Sequence, residues 1–210
     1  MTAPIENIMR TAPVIPVLVI DDIAHALPLA EALVAGGLKV LEVTLRTPCA
    51  LEAIRVMKQV PGAIVGAGTV LNPTQLAQAI DAGSEFIVSP GLTPTLGQAA
   101  VDAGIPFLPG TANAGDIMLG LDLGLSHFKF FPAEASGGTA ALKAIAGPFG
   151  GIRICPTGGI TLATAPNYLA LEPVLCVGGS WMVGKDVFDG AKVDTAKVTA
   201  AAAAAAALAR

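Results

Sequence analysis

Apolar, β-branched runs recur along the chain with helix-patterned stretches between them. The runs Val14 to Ile20, Val40 to Leu45, Ile64 to Thr69, Phe86 to Pro90, Pro106 to Gly110, Phe128 to Phe131, Arg153 to Thr157 and Val174 to Gly178 read as eight strands. Between them HALPLAEALVAGG, ALEAIRVMKQV, TQLAQAIDAG, GQAAVDAG, AGDIMLGLDLG and TAALKAIAG are amphipathic at helical spacing, and several end in the Gly expected just past a helix C-terminus. Strand starts fall about 20 to 26 residues apart, the size of one βα unit, which implies a parallel sheet covered by helices. Eight such units close into a (β/α)8 TIM barrel. An open doubly wound sheet more often has five or six strands and a Gly-rich turn after the first, whereas the first strand here runs VLVIDDIAHA without GxGxxG. The expected fold is therefore α/β, a single-domain (β/α)8 barrel over residues 1–210. The Ala-rich run at about 195–210 reads as a surface or frayed helix.

Composition changes this picture little. A length of 210 residues suits one domain with a sizeable core. No apolar run approaches the roughly 20 residues of a membrane helix, and MTAPIENIMRTAP lacks the pattern of a secretory signal, so a cytoplasmic location is the expectation. A net charge of −4 without a Lys/Arg cluster points away from nucleic acid and anionic membranes and toward a small-molecule partner. Cys49, Cys155 and Cys176 form no CxxC pair and read as small buried residues. His25 and His127 lack ligand-spaced companions, so no metal and no cofactor are expected.

Candidate chemistry sits at strand ends. Alternation along VLEVTLR places Glu42, Thr44 and Arg46 on one face, and inward charges near the C-terminal end of a barrel strand belong at an active-site mouth or in a structural Glu–Arg pair. Lys129 lies inside the aromatic strand HFKFFPAE, where an ammonium is costly to desolvate. Apolar walls from Phe128, Phe130 and Phe131, with a cation such as Arg46 across the barrel, would favour a free amine able to attack a ketone. The plainer reading ties Lys129 to Glu42 or Glu134. Gly158-Gly159 after strand seven and Gly178-Gly179 with Ser180 after strand eight expose backbone N–H groups where this barrel class holds phosphate, although each pair alone also serves a plain turn. Thr69 and Pro90 end strands three and four at the same mouth.

On these residues the chain resembles the KDPG/KHG aldolases, class I aldolases that cleave 2-keto-3-deoxy-6-phosphogluconate in the Entner-Doudoroff pathway. The motifs LEVTLRT, GAGTV, FKFFPAE and CPTGGI occur in family order, and the likeness runs from about residue 13 to 182. The resemblance implies that Lys129 forms the Schiff base, Glu42 transfers protons, and Arg46 with Thr69 holds the substrate carboxylate. It places Pro90 and Phe131 in the pyruvate pocket and the phosphate on Thr157, Gly158, Gly159, Gly179 and Ser180. It also implies a homotrimer. The stretch PGTANAGDIM departs from the family's pattern beside the mouth, at no catalytic position. Rival substrates are 4-hydroxy-2-oxoglutarate and the galactonate epimer; a phosphosugar isomerase would keep the phosphate turns without needing the amine.

Overall fold

The computed structural model describes residues 4–209, so the parts of the predicted domain and C-terminal helix at 1–3 and 210 lie outside the described residues. The chain runs through α1 (Pro4–Met9), β1 (Val14–Leu18), a 3-10 turn (Ile23–His25), α2 (Ala26–Ala35), β2 (Val40–Thr44), α3 (Ala50–Met57), β3 (Ile64–Gly68) and α4 (Pro73–Asp81). It continues with β4 (Ile87–Val88), α5 (Pro94–Asp102), β5 (Phe107–Leu108), β6 (Gly110–Thr111), α6 (Ala114–Asp122), β7 (His127–Phe130), α7 (Gly138–Ala146) and β8 (Arg153–Pro156). It ends with α8 (Ala165–Leu169), β9 (Val177–Gly179), a 3-10 turn (Lys185–Val187), β10 (Phe188–Asp189), β11 (Lys192–Val193) and α9 (Thr195–Ala206).

The expected alternation is present as an α/β fold with parallel strands. One sheet has the order β5-β4-β3-β2-β1-β9 and a second the order β6-β7-β8. The predicted fifth strand is split at Pro109, which has no N–H to give to a ladder. Between β8 and the last parallel strand the register is marked by two single bridges, Ile154 with Val174 and Thr157 with Gly178. Helices α4, α5 and α6 begin at Asn72, Thr93 and Asn113, whose side chains accept from the backbone N–H three residues on.

Neighbouring residues on one strand enter different apolar clusters. Leu41, Ile87, Phe107 and Ile154 join the large cluster shared with the helices. Val40, Val88, Leu108 and Cys155 join a smaller one with Phe86, and α1 adds Ile5 and Met9 to it. This period of two means that both faces of the sheet are buried. Gly66 makes room on the second face, since a Cβ there would stand 2.5 Å from the Phe86 ring.

The C-terminal run departs from the reading as a surface or frayed helix. Its helix α9 packs along α2, burying Val198, Ala202 and Ala205. A Cβ on Gly36 would lie 2.5 Å from that of Ala202, so small residues on both sides allow close approach. Thr199 Oγ1 donates to the Ala32 carbonyl at 3.1 Å, Asp194 caps the helix, and Lys197 pairs with Asp186. Among the cysteines, Cys155 and Cys176 are buried as expected; Cys49 is half-buried, its thiol donating to the Ile20 carbonyl at 3.0 Å.

Candidate active site

On the second face of the sheet the apolar layer gives way to charge toward the C-terminal strand ends. Glu42 follows Val40 on that face of β2. Lys129 occupies the matching face of β7, since its neighbours Phe128 and Phe130 both enter the large core. The two meet across the molecule: Lys129 Nζ donates to Glu42 Oε1 at 3.1 Å, with the residues only 5% and 3% exposed. Gly68 on β3 leaves the space for this carboxylate, because a Cβ there would lie 2.7 Å from Glu42 Cγ. The ammonium also stands 5.3 Å from the centroid of the Phe131 ring. Glu134, the other acid considered for Lys129, instead accepts from the Tyr168 hydroxyl at 2.7 Å.

Arg46 is not on β2. The strand ends at Thr44, the Arg46 N–H folds back onto the Thr44 carbonyl at 2.8 Å, and the Leu45 N–H donates to Gly68. This turn carries the guanidinium past the strand into an exposed position, where Nε donates to Thr69 Oγ1 at 3.4 Å. Thr69 has φ 57°, a left-handed conformation unusual for a β-branched residue. Such strain persists where surroundings over-determine it and clusters at binding sites. Thr44, expected on the same polar face, uses its hydroxyl on the Leu18 carbonyl at 2.8 Å.

A cleft of about 310 Å³ gathers Arg46, Phe131 and Thr157. The same cleft is walled by Gly158, Gly159, Gly179 and Ser180. Gly158 and Gly159 have φ of 107° and 78°, so their peptides turn in a way that side-chain-bearing residues rarely adopt. The structure thus brings most of the predicted site together, with the Lys129–Glu42 pair two residues below Phe131 along the chain from β7. Pro90 is apart, lining a separate hollow of about 290 Å³ with Leu71 and Asp116. A larger cavity, about 560 Å³, lies near the start of β8 beside Lys143, Ile152 and Glu172; it contains no buried amine and so none of this chemistry. Among the described residues no group of three or more His, Cys, Asp and Glu is placed to hold a metal.

Sequence reasoning missed Gly68, although Gly66 and Gly68 alternate on one strand face, which is the signal of side chains leaning over from neighbouring segments, here Phe86 and Glu42. It also missed Val17 and Val19, which line the cleft from the first strand and the residue after it. Both fall within the run Val14 to Ile20, which reads only as the first strand.

The profile of the KDPG and KHG aldolase family matches residues 5–201. The chain belongs to this family. The 2-dehydro-3-deoxy-phosphogluconate aldolase of Zymomonas mobilis is 64% identical over 198 residues, 94% of this chain and 93% of that protein. The crystal structure of the Zymomonas mobilis 2-keto-3-deoxy-6-phosphogluconate aldolase with 3-phosphoglycerate superposes with TM-score 0.95 at 62% identity, covering 100% of this chain and 98% of the other. A Legionella pneumophila KDPG aldolase, with pyruvate captured as a covalent carbinolamine, superposes with TM-score 0.92 at 44% identity, covering 97% and 98%. Membership in an aldolase family gives the buried amine and its carboxylate partner a chemical context that a structural ion pair lacks.

Proposed function

We propose that this chain is a Schiff-base (class I) aldolase that cleaves 2-keto-3-deoxy-6-phosphogluconate to pyruvate and D-glyceraldehyde 3-phosphate. The observation that carries the reading is the buried Lys129–Glu42 contact of 3.1 Å next to a cleft walled by glycine turns. A buried ion pair is a weak device for stability, so its place beside a cleft favours catalysis. In the reaction Glu42 takes a proton from Lys129, and the free amine adds to the C2 ketone. Glu42 returns that proton to the carbinolamine oxygen as water leaves, then accepts the C4 hydroxyl proton while the C3–C4 bond breaks into the iminium. The same carboxyl protonates the enamine carbon, and hydrolysis frees pyruvate. The iminium is the electron sink, so the scheme uses no metal and no cofactor.

Arg46 and Thr69 hold the substrate carboxylate, with Phe131 flanking the pyruvate moiety. Thr157, Gly158, Gly159, Gly179 and Ser180 receive the phosphate, since N–H groups at such turns form anion-binding concavities. Val17 and Val19 supply an apolar wall to the same cleft. Cleavage of 4-hydroxy-2-oxoglutarate is the second reading. It is favoured by a family that includes KHG aldolases and by an amine, carboxylate and arginine set that needs no phosphate.

The architecture belongs to the same proposal: one domain forming a closed (β/α)8 barrel. The single bridges beside β8 and the one-residue gap at Pro109 support closure, because they lie where the two parallel sheets would join. The resemblance supports a homotrimer, and exposed Leu71 and Met118 offer apolar contact area. A cytoplasmic location is proposed with it. Among the described residues no helix is long and apolar enough to cross a membrane.

Borohydride reduction in the presence of pyruvate, followed by intact mass and peptide mapping, tests the mechanism. The expected product is reduced pyruvate on Lys129. Folded protein without an adduct would make Lys129 structural and bring back the isomerase reading.

A further inference from the structure

The fully buried Tyr168 and the carboxylate of Glu134 form a pair that the chemistry above leaves unused. Tyr168 belongs to the short helix α8 and is 1% exposed. Its hydroxyl donates to Glu134 Oε1 at 2.7 Å, and burial followed by the Glu134 contact pushes the phenol well above its ordinary value, so it stays a donor. Glu134 lies in the loop after β7, five residues beyond Lys129. That loop runs directly against the glycine turn of the cleft: the Ala133 N–H donates to the Thr157 carbonyl at 2.8 Å and the Glu134 N–H to the Gly158 carbonyl at 3.0 Å. The Glu134 methylenes cover Gly159 so closely that a Cβ there would lie 2.8 Å from Glu134 Cβ and 2.9 Å from Cγ. Glu134 thus crosses over the Gly159 backbone and is fixed at its far end by Tyr168.

We infer that the Tyr168–Glu134 hydrogen bond is a positioning device for the Gly158-Gly159 turn, and so sets the affinity of this site for the phosphoryl end of its substrate. The inference rests on the reading of that turn as the phosphate site. Two physical consequences of the bond lead there. Anchoring Oε1 stops the Glu134 side chain from swinging, so the peptides of Gly158 and Gly159, which have no side chains of their own to pack, are held by a neighbour. It also keeps a negative charge tethered at Tyr168 instead of free to move toward an incoming dianion, which it would repel.

Isothermal titration calorimetry with inorganic phosphate, alongside the rate of borohydride trapping of pyruvate, separates this from a general structural role. A hydrogen bond to a charged group contributes enough that Tyr168→Phe should weaken phosphate binding about tenfold. Pyruvate trapping at Lys129 should stay within about twofold, because a change confined to the turn does not remove the interactions that hold pyruvate. Glu134→Gln keeps an acceptor for the hydroxyl and should bind phosphate at least as well as the parent protein, whereas Glu134→Ala should behave like Tyr168→Phe. Glu134 is exposed, so its variants provide the comparison should the buried Tyr168 substitution unfold the chain. Equal phosphate affinity in the parent and Glu134→Ala proteins would overturn the inference, as would a parallel loss of phosphate binding and pyruvate trapping. Failure of the parent protein to trap pyruvate, with Tyr168-dependent phosphate binding intact, would count against the aldolase mechanism and support this inference.

Discussion

Replacing Gly68 with Ala tests the proton-transfer role of Glu42 without touching either reacting residue. A Cβ at Gly68 would lie 2.7 Å from Glu42 Cγ and 2.9 Å from Cδ, with Oε1 closer still, whereas ordinary contact begins at 3.4 Å. The side chain must therefore retreat by about 0.7 Å or more. Glu42 is 3% exposed and cannot swing into solvent, so the displacement moves its carboxylate relative to Lys129. The Gly68 backbone is outside the left-handed region, so alanine brings no backbone strain. Overpacking of this kind should cost about 1–3 kcal/mol in stability. Misplacing a catalytic group by about 1 Å can reduce turnover on the order of 100-fold. Steady-state cleavage, followed by coupling pyruvate release to a dehydrogenase, should show that drop in kcat. Borohydride trapping with pyruvate should still modify Lys129, more slowly than in the parent protein because Glu42 also serves imine formation, with the larger loss falling on kcat. Gly150→Ala, where the added methyl meets nothing within 4 Å, is the control and should match the parent protein. A folded Gly68→Ala protein with parent-like kcat would refute the argument that the carboxylate's position governs the proton steps.

Two further outcomes follow from buried charge. Lys129→Ala should abolish turnover and lose roughly 3–5 kcal/mol of stability, because Glu42 is left buried and unpaired; combining Lys129→Met with Glu42→Leu should restore the denaturation midpoint but not activity. Burial holds the His127 imidazole below its ordinary value of 6.5, against the opposing pull of Glu6. The unfolded chain therefore takes up that proton first, and stability present above about pH 6.5 is lost as pH falls toward the folded-state value. Urea midpoints should decline between about pH 7.5 and pH 5.5 and decline less in His127→Gln. The Arg10 hydrogen bond holds Glu6 below 4.5, so the stabilisation from Glu6 is lost only at more acidic pH.

Strands with a continuous apolar pattern and helices with clear caps were legible because two-sided burial and 3.6-residue spacing leave local marks. The helix α1, the five-residue α8 and the β10–β11 hairpin were not foreseen, since six, five and two-residue elements are too short to show a period. The break at Pro109 followed from a residue whose missing N–H was in plain view. At the site, Lys129 advertised itself as a cation in an aromatic strand. Arg46 misled, because strict alternation was carried beyond Thr44 into a turn that only the backbone bonds reveal. The partner of Lys129 was undecidable between Glu42 and Glu134, as a side-chain contact between two separate sheets leaves no trace in local sequence.

The alanine tract of α9 raises a problem of indexing. A run of identical residues could slide along α2 by one helical turn and present the same methyl groups, so the tract itself cannot define its own alignment. The features that break this degeneracy stand at its beginning: the Asp194 cap, the Lys197–Asp186 pair, buried Val198, and the Thr199 hydroxyl on Ala32. The helix is counted from these residues outward. Alanines gained or lost past Ala206 therefore change the length of the end and leave unchanged which residues face α2.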